Sequence, residues 1–196
     1  RPNQYPIILL HVSDLHLSSV KPKSYSYIKN ILKVSKSLFK PDLLVIAGDV
    51  TDNYNDPKLK YHHYHQLYIN DWSLYEQLLL DLNITIVQSS NLQLQLDSQK
   101  NYGQIKLPSI HVFGNHDYYL VDSFTSTQNY MSQIVDYHNI DEFELSTSKI
   151  TFSMNGSDVK IKFIKLNRVS FPTGPISLHQ NSYLTPRFKK RFLKEI

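Results

Sequence analysis

Leu43-Leu44-Val45-Ile46-Ala47-Gly48-Asp49-Val50-Thr51-Asp52 is the stretch that decides the fold. Its first five residues are all apolar and two are β-branched, the pattern of a strand, as in residues 7–12, which read as a buried strand. Gly48 then allows the backbone to turn sharply, and two carboxylates follow it. The same layout stands upstream, where residues 7–12 run into Ser13-Asp14-Leu15-His16. It stands again downstream, where residues 110–113 run into Gly114-Asn115-His116-Asp117. Each run thus ends in carboxylate, imidazole or amide groups, donors that suit a divalent cation.

Between the first two runs, residues 24–39 place Tyr27, Ile28, Ile31, Leu32, Val34, Leu38 and Phe39 at helical spacing, and Pro41 stops the helix. Strand, helix, strand at this spacing is a βαβ unit with parallel strands, and ligands of such sheets sit outside the carboxyl ends of the strands. The motifs fall at those ends. A second helix is predicted over residues 59–82 around Trp72, Leu74, Leu78 and Leu79. His62, His63 and His65 in its first half read as solvated surface. Residues 88–109 lack a sustained period, carry Gly103 and Pro108, and read as irregular, with Leu92-Gln93-Leu94-Gln95-Leu96 as an edge-strand candidate. A helix over residues 126–137 precedes a hairpin signal, in which residues 149–154 and 159–166 flank the turn Asn155-Gly156. That hairpin would extend or face the parallel sheet. An amphipathic helix closes the chain at Lys194-Glu195-Ile196.

The expectation is one α/β domain over residues 1–196. Hydrophobic residues at 41% and charged residues at 19% are those of an ordinary globular protein. With no cysteine, disulfides, thiolate zinc sites and thiol nucleophiles are excluded. A net charge of +4 and a pI near 9.0 come from scattered lysines, which is no strong nucleic-acid signal. No apolar run approaches the roughly 20 residues that a membrane-spanning helix needs. Asn83-Ile84-Thr85 and Asn155-Gly156-Ser157 are glycosylation sequons, relevant only in a secretory compartment. The first residue is Arg1 rather than Met, and a piece of a longer protein is expected.

A site for two ions roughly 3.5 to 4 Å apart needs a bridging carboxylate and flanking ligands on each ion. Asp49 is the natural bridge, central between the other motifs. Asp14 and His16, two apart in an extended segment, project to the same side and can hold one ion. Asn115 offers a neutral oxygen to the other. His116 could then protonate a leaving oxygen or stabilise the transferring group, and Asp117 could hold its imidazole in one tautomer. Each has a blander reading beside it: Asp14 as a cap, His16 as a packed histidine. Asp52 is read equally as a turn former or as support for a ligand.

Asp14-Leu15-His16, Gly48-Asp49-Val50-Thr51-Asp52 and Gly114-Asn115-His116-Asp117 resemble the first three signature motifs of the calcineurin-like metallophosphoesterases. The resemblance implies a four-layer α/β sandwich and hydrolysis of a phosphate ester by metal-activated water. It implies that Asp14 and His16 bind one ion, Asp49 bridges, Asn115 binds the other and His116 assists phosphate transfer. Two divalent ions are implied, with manganese, iron and zinc all compatible with the donor set. Within the family, residues 45–52, Trp72-Ser73-Leu74-Tyr75 and Phe171-Pro172-Thr173-Gly174-Pro175 are similar to the transmembrane protein 62 group. That would make the chain a domain of a membrane protein, on the lumenal or extracellular side.

Two departures shape the expectations. The gap between the second and third motifs is long, so residues 54–109 are expected to hold an insertion. The family's later ligands, a lone His and a Gly-His-any-His motif, have no counterpart: His138 and His179 are not preceded by Gly. Those ligands are expected beyond Ile196, leaving the sandwich incomplete at its carboxyl end. The rival classes are a catalytically silent interaction module and a metal-dependent nuclease. For a nuclease, no lysine patch brackets the motifs, although tyrosines number 14.

Overall fold

The computed structural model describes residues 6–52, 61–87, 91–96, 106–112, 114, 117, 145–154, 157–166 and 186–195. Its centre is a parallel sheet of β1 (Leu9–Val12), β2 (Leu43–Ala47), β5 (Leu107–Val112) and β3 (Ile84–Ile86), in the order β1-β2-β5-β3. The expected βαβ unit is present, with α1 (Pro22–Phe39) joining β1 to β2. Pro22 sits in the first turn of α1, where its missing N–H costs nothing. Lys40 ends the helix in a left-handed conformation, directly before Pro41. Asp42, buried, then takes the Ile8 N–H on its carboxylate and donates its own N–H to the Ile8 carbonyl, which sets β2 beside β1.

Helix α2 (Tyr61–Asp81) shares one face of this sheet with α1. Trp72, Tyr75, Leu78, Leu79 and Leu82 pack there with Leu32, Leu44, Ile46 and Leu107. Tyr25 and Lys29 of α1 both reach Asp81, and Lys36 caps the Leu82 carbonyl, so the two helices are locked side by side. The other sheet face carries Leu43, Val45 and Ile110. These meet Ile150, Phe152, Leu92, Leu94, Ile161 and Phe163 of a second sheet. That sheet runs β4 (Asn91–Gln95), β6 (Leu145–Met154), β7 (Ser157–Leu166), with β4 parallel and β7 antiparallel to β6. Helix α3 (Pro186–Glu195) lies along β6, where Arg191 donates to the Leu145 carbonyl and Glu195 pairs with Lys162. Lys162 alternates with the core-facing Ile161 and Phe163, so α3 covers the outer side. The layers are therefore helix, sheet, sheet, helix.

Several expectations shift. The hairpin faces the parallel sheet rather than extending it. Residues 88–109 are less irregular than their composition implies: β4 is an edge strand, and β5 begins at Leu107 rather than at Ile110. Pro108 is tolerated because Leu107 and Ser109 on either side of it make the bonds toward β3, while pairing with β2 starts only at Ser109. Residues 61–87, inside the expected insertion, supply α2 and β3 to the main core. The helix expected over residues 126–137, the turn Asn155-Gly156 and the segment 167–185 lie outside the described residues, as do the side chains of His62, His63 and His65. Among the described residues, no helix is long and apolar enough to cross a membrane.

His111 is buried in β5 with its ring centroid 5.4 Å from that of Tyr75. Burial, and then the nearby Lys165 charge, hold its pKa down to about 3, against an ordinary 6.5. Between those values the unfolded chain binds a proton that the folded chain refuses. The contribution is therefore fully present above about pH 6.5 and is lost as pH falls toward about 3. Urea denaturation should show wild type losing up to about 1.4 kcal/mol per pH unit below 6.5 through this group. His111→Leu should flatten that slope; an unchanged slope would contradict the assignment.

Candidate metal centre

The loops after β1 and β2 continue the pairing of their strands. Asp14 N–H donates to the Gly48 carbonyl, His16 N–H to Asp49, Leu17 N–H to Val50, and Asp52 N–H back to Leu17. Leu17, Val50 and Thr51 are fully buried beneath them. Three residues on this zipper take left-handed backbone angles that side chains disfavour: Asp14 at φ 55°, His16 at φ 46° and Asp49 at φ 51°. Such strain costs about 1–3 kcal/mol per residue and gathers at functional sites.

The strain turns three side chains toward one point. Asp14, His16 and Asp49 each present one ligand atom, and these atoms all lie within 4.8 Å of one another. Two ligands on one ion at 2.0–2.2 Å are at most about 4.4 Å apart, so small side-chain rotations close the set. His16 is oriented from both sides. Its Nε2 is 3.9 Å from Asp14 Oδ1, and its Nδ1 is 3.5 Å from Asp52 Oδ1. At 3.5 Å the second approach is an electrostatic contact at the limit of a hydrogen bond. Lys21 holds the other Asp52 oxygen at 2.7 Å. A carboxylate in this place behind an imidazole restricts the rotation of its ring. Asp52, read two ways from sequence, faces the ligand.

The third motif closes on the same point through backbone. A side chain at Gly114 would fall on Asp49 Oδ1 and the Asp49 backbone nitrogen and lie 2.7 Å from its Cγ, so only glycine lets the loop come this near. Asp117 is fully buried. One carboxylate oxygen accepts the Val50 and Thr51 N–H groups at 2.7 and 3.0 Å, and the other accepts Gly114 N–H at 2.8 Å. Burial pushes this carboxyl up to about 7, against the amides that pull it down. Asp117 thus ties the second and third motifs together, a task its sequence position did not reveal. Asn115 and His116, expected as ligand and acid, lie outside the described residues, and so does any contact of Asp117 with the His116 imidazole.

Sequence reasoning gave no role at the site to Lys21 or Tyr75. Nothing local marks Lys21, which meets Asp52 only across the loop zipper. Tyr75 is fully buried, and burial followed by the Asp117 charge raises its pKa, so it stays a neutral phenol. Its spacing from Trp72 and Leu78 on the apolar face of α2 was the available signal.

The motif loops thus gather at the carboxyl ends of parallel strands, in an α/β fold of two facing sheets flanked by helices. The family model of calcineurin-like phosphoesterases matches residues 7–181, and the chain belongs to that family. It is also similar to an Arabidopsis thaliana protein named, by inference, a metallophosphoesterase, with 30% identity over 112 residues. The match covers 56% of this chain and 14% of that protein, so the chain spans a small part of its relative's length.

Two substitutions test the geometry by calorimetric titration with Mn²⁺. Asp52→Asn should leave the fold intact and weaken binding about 10- to 100-fold, by releasing the His16 ring. Gly114→Ala should displace Asp49 and weaken binding about tenfold or more, with a lower unfolding midpoint. Wild-type affinity in both variants would show that neither residue shapes the site.

Proposed function

We propose that this chain carries the metal-holding core of a phosphoesterase that uses two divalent ions to hydrolyse a phosphate ester with water as nucleophile. Asp14 and His16 hold the first ion, Asp49 lies between the two positions, and Asn115 serves the second. Manganese, iron and zinc all match carboxylate, imidazole and amide donors. When bound, the ions supply Lewis acidity, which neutralises phosphoryl charge and makes water acidic enough to attack.

The observation that carries this reading is the His16 ring, with one nitrogen toward Asp14 and the other toward Asp52, beside an Asp49 held in a strained backbone. An inert interaction module would have no use for three left-handed residues converging on one point. The remaining residues divide the work. Asp52 stands behind the His16 ring and keeps it aligned. Gly114 and Asp117, which flank Asn115-His116 in sequence, are themselves tied to the second motif. His116 then donates to the leaving oxygen or to the phosphoryl group as charge develops there.

The full-length protein supplied with Mn²⁺ should hydrolyse p-nitrophenyl phosphate or its diester. His116→Ala should lower kcat by about 10²- to 10⁴-fold while Mn²⁺ affinity is retained. His16→Ala should lose the ion as well as turnover. A full-length preparation that binds no divalent ion would overturn the reading.

A further inference from the structure

Helix α2 contributes nothing to the expected ligand set, yet one of its side chains reaches the loop that carries Asp14 and His16. Asp71 is 2% exposed, on the face of α2 that also buries Trp72 and Tyr75. Its Oδ1 accepts the backbone N–H of Ser19 at 2.5 Å, across 52 residues of sequence. Ser19 stands three residues after His16, in the turn where Lys21 N–H closes on the Ser18 carbonyl. Ser18 is itself fully buried. From that turn Lys21 extends to Asp52, and Asp52 faces His16.

We infer that Asp71 is a positioning residue for the first ion, holding the turn at residues 18–21 so that Lys21 and Asp52 keep the His16 ring aimed at Asp14. A carboxylate inside a core would ordinarily be replaced by an apolar residue, because burial disfavours its charge. Burial does raise the Asp71 pKa, while the Ser19 hydrogen bonds lower it. Electrostatically, Lys21 favours its charge and Asp52 opposes it, so Asp71 is coupled to both members of the support behind His16. The tether also explains why the backbone at His16 can remain left-handed. The loop is held at its near end by the zipper to β2 and at its far end by α2. Asp71 acts through the loop and touches no substrate.

The inference rests on the metal-centre reading, and two readouts separate their failures. The first is amide hydrogen exchange over residues 14–20 of the ion-free protein. Asp71→Ala should raise exchange there about tenfold or more, with little change in β6 and β7. Asp71→Asn, which keeps an oxygen for the Ser19 N–H, should stay near wild type. The second is Mn²⁺ titration: Asp71→Ala should weaken binding about 10- to 100-fold, and Asp71→Asn should restore most of it. Unchanged loop exchange in Asp71→Ala overturns the tether whatever the metal result. Faster loop exchange with wild-type Mn²⁺ affinity overturns the positioning role. If exchange rises but wild type itself binds no Mn²⁺, positioning falls together with the metal-centre reading, while the tether stands. A loss of thermal stability in Asp71→Ala that Asp71→Asn shares, with equal Mn²⁺ affinity in both, marks a merely structural carboxylate and also overturns it.

Discussion

The buried carboxylate of Asp117 is the constraint on which the site depends. It joins loops more than 60 residues apart in sequence, taking two amides from the second motif and one from the third. An isolated carboxylate in that position would be costly, and the three amides offset part of the burial that raises its pKa. Once the link is made, the loops close to a distance that only a glycine at position 114 allows. Asp49 is the residue against which Gly114 then stands.

Closure of this kind carries strain, and the rest of the fold offsets it. Asp14, His16 and Asp49 each sit in a backbone region that costs about 1–3 kcal/mol. The loop zipper extends the β1–β2 ladder past its formal end, and Leu17, Val50 and Thr51 are driven into the core beneath it. Helix α2 adds Asp71 on one side and Tyr75, beside His111, on the other. Asp14, His16 and Asp49, the proposed donors, are therefore arranged by backbone hydrogen bonds and buried packing. That is the preorganisation a metal centre needs to keep its geometry during turnover.

Much of the architecture was legible because period and punctuation act locally. β2 read as a strand from its apolar run, and both of its faces are covered. Residues 7–12 read as a buried strand, but β1 alternates exposed and half-buried residues because it ends the order β1-β2-β5-β3. α1 read from its spacing and from Pro41, and β6 and β7 read from their alternation around Asn155-Gly156. β3 escaped notice because three residues are too few to show a period. Pro108 misled because its tolerance depends on which residues beside it make the bonds toward β3, a fact of the sheet and not of the segment. The parallel pairing of β4 with β6 was invisible for the same reason.

The site divides along the same line. The sequence by itself determined which groups stand at the strand ends, since Asp14, His16 and Asp49 follow apolar runs whose burial forces their loops to one edge of the sheet. It also placed those loops in the right order, because βαβ connections leave little choice of topology. Only the tertiary structure decided how the groups are used. Asp52 became the partner of His16, Asp117 became the clasp between motifs, and Asp71 was brought from a helix to the ligand loop. Hydrogen bonds between residues far apart in sequence leave no local pattern to read. They exist only once the hydrophobic core has brought the chain segments together.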